Sequence, residues 1–196
     1  MDIIKVLQEE LQIGYKQAEA AVGLIDEGNT IPFIARYRKE ATGSLNDEVL
    51  RNLDERLKYL RNLEEKKEQV ISSIREQEKL TPELEKQILE AMTMVAVEDL
   101  YRPYRPKRRT RAMIAKEKGL EPLADLIWLQ QIKEPAEGLA RAYVSEEKQV
   151  ASEAEAVAGA RDILAERISD QADYRSYIRK ITMDRGMIAS SAKDGE

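Results

Sequence analysis

The stretch NDEVLRNLDERLKYLRNLEEKKEQVISSIREQEK, residues 46–79, contains neither Pro nor Gly and predicts one long helix that begins at Asn46 or Asp47. At ~1.5 Å per residue it would be ~50 Å long. Leu50, Leu53, Leu57 and Leu60 alternate spacings of three and four, and Leu63, Val70, Ile71 and Ile74 continue the apolar face in a shifted phase. A coiled-coil dimer would hold one heptad phase over several repeats. A stripe that drifts round the helix points to packing against other helices of the same chain.

The flanking sequence also reads as helices. Ile3, Ile4, Leu7 and Leu11 share a face behind a cap at Asp2, and Ile13-Gly14 interrupts before Tyr15 opens a second helix. That helix carries Ala18, Ala21, Val22 and Ile25 and should stop at Gly28. Thr30 and Pro32 start a short third helix with Ile31, Phe33, Ile34 and Tyr37. Helix, turn, helix invites a DNA-reading interpretation, but a recognition helix presents polar side chains to base edges. Phe33 and Ile34 are expected in the core instead, leaving Arg36, Arg38 and Lys39 as candidate contacts at the helix end.

Thr81-Pro82-Glu83 starts another helix, running toward Leu100 with Leu84, Ile88, Leu89, Met92 and Val95 on one face. Pro103 and Pro106 then bar regular helix and push Arg102 and Arg105 toward extended geometry. Thr110 is placed to cap a helix through Met113 and Ile114 to Lys118, with Gly119 as its stop. Glu121-Pro122 opens the next with Leu123, Leu126, Ile127 and Trp128, the sole Trp being expected in the core. A shorter helix follows from Pro135 through Leu139 and Tyr143. Ser152-Glu153-Ala154-Glu155 fits a capping box for a helix through Val157, Ile163 and Leu164. Asp170 is expected to cap a last one through Tyr174, Tyr177, Ile178 and Ile181, with fraying after Gly186. The fold class is all-α, and the expected division is into residues 1–80 and 81–196.

Composition narrows the function. The chain has 196 residues, 42% apolar and 35% charged, with no Cys and no His. Disulfides, thiol nucleophiles, the usual zinc sites and imidazole catalysis are thereby removed. No Gly-rich phosphate loop occurs, and the carboxylate pairs Glu9-Glu10, Glu64-Glu65 and Glu146-Glu147 each sit among Lys or Arg at helical spacing, as on solvated faces. No catalytic residue, metal site or cofactor is assigned, and no enzyme activity is expected. Met1-Asp2-Ile3-Ile4-Lys5 shows no signal-peptide pattern and no apolar run approaches the roughly 20 residues that span a bilayer, so the expected location is cytoplasmic, away from membranes.

The basic segment EDLYRPYRPKRRTRA, residues 98–112, breaks with this acidic background. From Tyr101 to Lys118 there are eight basic residues and one acid, inside a chain of net charge −5. Arg102, Arg105, Lys107, Arg108, Arg109 and Arg111 suit phosphate contact, and Tyr101 and Tyr104 suit stacking with unpaired bases. The same residues suit a structural use, in which Glu98 and Asp99 pair with Arg102 or Arg105 and the remaining arginines clamp acidic helices or another protein surface.

Four blocks together resemble the Tex family of bacterial transcription accessory proteins: IPFIARYRKEATG at 31–43, Arg56 to Lys66 with YLRNLE at 59–64, the basic block of loop 101–111, and KGLEPLA at 118–124. The resemblance covers nearly the whole chain. It implies a much longer protein that resembles the core of a eukaryotic elongation factor, with a ribonuclease-H-like domain, helix-hairpin-helix elements and an S1 RNA-binding domain beyond the Lys193-Asp194-Gly195-Glu196 end seen here. It also implies RNA or DNA, the downstream domains and the transcription machinery as partners. Arg36, Arg38, Lys39 and Arg102 through Arg111 fall at family-pattern positions, whether they meet nucleic acid or those domains.

Overall fold

In a computed structural model that describes residues 1–131 and 133–191, the 46–79 stretch is a helix over Asp47–Glu76 (α4), 30 residues long, capped by the Asn46 carboxamide on the Val49 N–H. Four helices pack on it: α1 (Ile3–Leu11), α2 (Tyr15–Asp26), α3 (Ile31–Tyr37) and α5 (Pro82–Glu90). Asp2 caps α1 and Thr81 caps α5 through side-chain hydrogen bonds, as their positions predict, whereas Thr30 takes the cap position of α3 without one. Leu7, Ala18, Ala21, Ile34, Leu50, Leu53, Leu57 and Leu60 form the core of this part.

The second half of the α4 stripe holds an unexpected member. Lys67 is 1% exposed and fills the gap between Leu63 and Val70. Its Nζ donates to the Leu89 carbonyl at 2.8 Å and lies 2.9 Å from Glu64 Oε1, while the Met1 ammonium holds Glu64 Oε2 at 2.7 Å. Burial pushes the Glu64 carboxyl up, but the Met1 and Lys67 ammoniums outweigh it and hold the group below the ordinary value. Glu64 therefore departs from the solvated face expected of it.

The helix expected from Thr81 to Leu100 is two. It stops at Glu90, Ala91 is extended, and α6 (Met94–Tyr101) begins afresh. Two α4 side chains take the backbone groups freed by the break: the Lys67 ammonium donates to the Leu89 carbonyl, and the Tyr59 hydroxyl accepts from the Met94 N–H at 3.0 Å. Thr93 Oγ1 then caps the Ala96 N–H. In consequence Leu89, Met92 and Val95 are exposed, and only Leu84 and Ile88 of the expected face are buried. The chain forms two compact units, Met1–Val97 and Glu98–Glu196. The sequence reading divides it near residue 80, but Leu84, Ile88 and the Lys67 bond tie α5 to the first unit.

In the second unit α7 (Arg111–Glu117), α8 (Glu121–Leu129), α9 (Ala136–Ala140) and α11 (Ala172–Arg185) pack on α10 (Glu153–Ser169). Thr110 caps α7 and Gly119, at φ +76°, ends it. Ser152 caps α10, while the Glu155 carboxylate reaches back to the Ala151 N–H rather than to that of Ser152. A Cβ on Gly159 would lie 2.4 Å from Leu120 Cδ1 and 3.2 Å from Ala115 Cβ, so α10 approaches its neighbours more closely than any larger residue permits. Trp128, expected in the core, is 39% exposed, with the Arg167 guanidinium 5.7 Å above its ring. Residues 187–191 have no regular structure, and the rest of the expected frayed end lies outside the described residues. Among the described residues there is no strand beyond the isolated Ser145–Val150 bridge.

Lys67→Ala should destabilise the chain by about 2–3 kcal/mol in chemical unfolding, below the cost of breaking a fully buried pair because Glu64 keeps some water. Gly159→Ala should cost about 1–3 kcal/mol by overpacking against the buried Leu120.

Candidate nucleic-acid interface

The basic segment begins as a 3-10 turn, Arg102–Tyr104, continuous with α6. Arg102 is therefore not extended as expected, because Pro103 occupies an early position of that turn, where a missing N–H costs nothing. Arg105 is extended, and residues 106–110 run as loop to the Thr110 cap.

Three of the six cations, Arg102, Lys107 and Arg111, find partners on α10. Asp162, Glu166 and Asp170 stand at successive spacings of four and so share one face. Lys107 Nζ bridges Asp170 Oδ2 and Glu166 Oε1, the latter at 3.4 Å, and is only 24% exposed. Arg102 Nε donates to Asp170 Oδ1 at 3.3 Å, and Arg111 lies 3.8 Å from Asp162. Asp170 is thus not the cap of α11 expected of it: it closes α10, its carboxylate serves the loop, and Gln171 stands at the start of α11. Arg109 pairs with Glu117 at 2.6 Å and Arg105 loosely with Glu98 at 3.7 Å. Arg108 is exposed with no carboxylate partner among the described residues, and Tyr101 and Tyr104 are half-buried. The loop and α10 enclose a cleft of about 390 Å³.

Asp99 does not pair with the loop arginines as expected. Buried, it accepts from Arg175 Nε at 2.6 Å and from Arg179 Nη2 at 2.7 Å, one turn apart on α11. Burial pushes its carboxyl up, and the two guanidiniums outweigh burial to hold it below the ordinary aspartate value. These bonds matter because α11 contributes no buried residue: Tyr174, Tyr177, Ile178 and Ile181, expected as its packing face, are exposed.

A second basic cluster lies in the first unit. Arg36, Arg38 and Lys39 are exposed and none has a carboxylate partner among the described residues. They line a cleft of about 490 Å³ with Tyr37, Glu40 and Ala41. Phe33, expected in the core, is 37% exposed instead, since Ile34 alone of this pair faces α4 and sits fully buried. Sequence reasoning missed the acids of α10, which their spacing of four could have revealed, and the exposed aromatics of α3, for which no local signal exists. No group of three or more potential metal-ligating side chains occurs among the described residues, and no helix among them is long and apolar enough to cross a membrane.

The described chain is thus all-helical, with a cation-rich loop seated on the acidic face of α10. Residues 1–75 match the family model of the Tex-like protein N-terminal domain, and residues 131–196 match that of the Tex central region. The chain is 49% identical over 194 residues to protein tex of Bordetella pertussis, covering 99% of this chain and 24% of that protein. It is 45% identical over 196 residues to transcriptional accessory protein Tex of Neisseria gonorrhoeae, covering 100% and 26%. Against S1 RNA-binding domain-containing protein 1 of Homo sapiens it is 28% identical over 193 residues, covering 97% and 19%. The chain belongs to the Tex family, and it spans about a quarter of the length of its bacterial relatives.

Because the Asp99 carboxyl is held low, its contribution to stability is complete above the unfolded value of about 4 and is lost as pH falls through the lower folded value. Asp99→Asn should remove that acid-range loss and loosen α11 at neutral pH, read as faster tryptic cleavage at Arg175 and Arg179 with the rest of the chain still protected.

Proposed function

We infer that this chain is the N-terminal region of a Tex-like transcription accessory protein, a non-enzymatic cytoplasmic scaffold whose basic loop helps hold RNA or DNA on the longer protein. One observation carries the reading: Arg102, Arg105, Arg108, Arg109 and Arg111 are all exposed on a strip that the half-buried Lys107 fastens to α10. Exposed ion pairs are worth ~0–1 kcal/mol, so an arginine can exchange a carboxylate for a phosphate at little cost. The family match and the S1 RNA-binding name of the human relative support nucleic acid as the partner class. The absence of His and Cys from the sequence supports a binding role over catalysis.

Fluorescence anisotropy of labelled duplex DNA and single-stranded RNA tests this. With five arginines on phosphates, log affinity for the duplex should fall against log salt with a slope of about −4 to −5, each phosphate contributing about −0.9. The Arg105→Glu, Arg108→Glu, Arg109→Glu variant should lose this binding while keeping the wild-type helical circular dichroism. Wild-type protein that binds neither polymer at low salt would refute the reading and leave the loop as a contact for other protein surfaces.

A further inference from the structure

The first unit pairs its cations widely. Arg51 meets Asp47, Arg56 meets Glu10, Lys58 meets Asp54, Arg61 meets Asp26, and Arg75 meets Glu85. Against that pattern the run Phe33 to Glu40 stands out, with three cations that have no carboxylate partner among the described residues and a single acid, Glu40, at its end. Two aromatic rings lie among them. Tyr37 is 65% exposed, the most of any aromatic in this unit, and its ring stands 5.3 Å from that of Phe33 at 45°. Arg38 lies over the other ring, its guanidinium carbon 5.8 Å from the Phe33 centroid. A lone exposed aromatic is ordinary; two in contact, flanked by unneutralised arginines and a lysine, match what an unpaired nucleic-acid strand requires.

The segment is also held in place. Thr42 is fully buried, and its hydroxyl donates back to the Arg38 carbonyl at 3.3 Å. Gln17 Nε2 donates to the carbonyls of Gly43 at 2.9 Å and Thr42 at 3.3 Å, while Gln17 Oε1 accepts from the Gly14 N–H at 2.8 Å. A Cβ on Gly43, at φ +60°, would lie 2.7 Å from that Nε2, so only glycine closes the turn this tightly. The backbone carrying Arg38 and Lys39 is thereby tied to α2, and a strand binding there need not order it first.

We propose that Phe33 and Tyr37, with Arg36, Arg38 and Lys39, form a stacking platform for single-stranded nucleic acid, distinct from the basic loop. It rests on the reading that this chain contacts nucleic acid, and adds selectivity for unpaired over paired strands. Tyr37 offers a ring face to a base, which a duplex keeps within its own stack, and the three cations take the flanking phosphates. This differs from major-groove reading by α3, which needs polar groups where the helix presents aromatics.

The test titrates a labelled uridine 12-mer and a 12-base-pair DNA duplex with the 196-residue chain and its Tyr37→Leu and Tyr37→Phe variants. Tyr37→Leu should weaken 12-mer binding about tenfold, in the range of losing one base stack, and leave duplex binding unchanged. Tyr37→Phe should keep wild-type affinity for both. Equal 12-mer affinity in wild type and Tyr37→Leu, or equal losses on both polymers, would overturn the platform. Duplex binding that still depends on the loop arginines would then leave the broader reading standing, whereas no binding of either polymer by wild type overturns both.

Discussion

A lysine without water decides the shape of the first unit. Lys67 sits where the α4 stripe would otherwise carry a leucine, and burying its ammonium is tolerable only if acceptors and a counter-charge are supplied around it. Glu64 provides the charge, and the Leu89 carbonyl provides a hydrogen-bond acceptor that a continuing helix would have used for itself. The α5 helix ends one residue on, at Glu90, with that carbonyl satisfied by Lys67. Tyr59, two turns earlier on α4, receives the first free N–H of α6. One face of α4 thus specifies both sides of a break that no Pro or Gly marks, and the exposed Leu89, Met92 and Val95 are its by-product.

That arrangement explains how much of the fold the sequence discloses. Caps at Asp2, Asn46, Thr81, Thr110 and Ser152 are local chemistry: a side chain and an N–H three residues on. The stripe of α4 is equally local, a spacing repeated along one helix. The break after Glu90 depends on Lys67 and Tyr59, far away in sequence, and a helix propensity cannot see it. Asp170 shows the same limit. By spacing it is a fair helix cap, and it loses that role because two cations some sixty residues upstream compete for its oxygens. Phe33 and Trp128 misled for another reason: apolar character predicts burial only when another element arrives to cover the ring, and on short helices Ile34 and Leu123 take the covered side.

Charge gave the candidate sites their order in the sequence and lost it in the structure. The window from Tyr101 to Lys118 is the most basic in the chain, yet α10 sets three carboxylates at one helical spacing beside it. The weaker cluster at Arg36, Arg38 and Lys39 shares its cleft with one acid, Glu40, and none of its cations pairs with a carboxylate among the described residues. A count along the chain measures supply of charge, whereas a polyanion responds to what its neighbours leave unneutralised.

The two kinds of pairing in the loop are not energetically alike. Lys107 is enclosed by Glu166 and Asp170 and mostly dry, so removing both acids would strand its charge; this bridge fixes where the loop lies. Arg105 and Arg111 stand 3.7 and 3.8 Å from single carboxylates in open solvent, contacts that salt screens and a phosphate can replace bidentately. On the proposed reading, an anchor of this kind with exchangeable arms would bind polyanions in competition with its own acids. Small anions gain too little to displace several carboxylates, while a strand presenting many phosphates can exchange several pairs in one encounter. The acids paired with the loop, Asp162 and Asp170 on α10 with Glu98 and Glu117 outside it, would on that reading set a threshold of charge density rather than a preference for sequence.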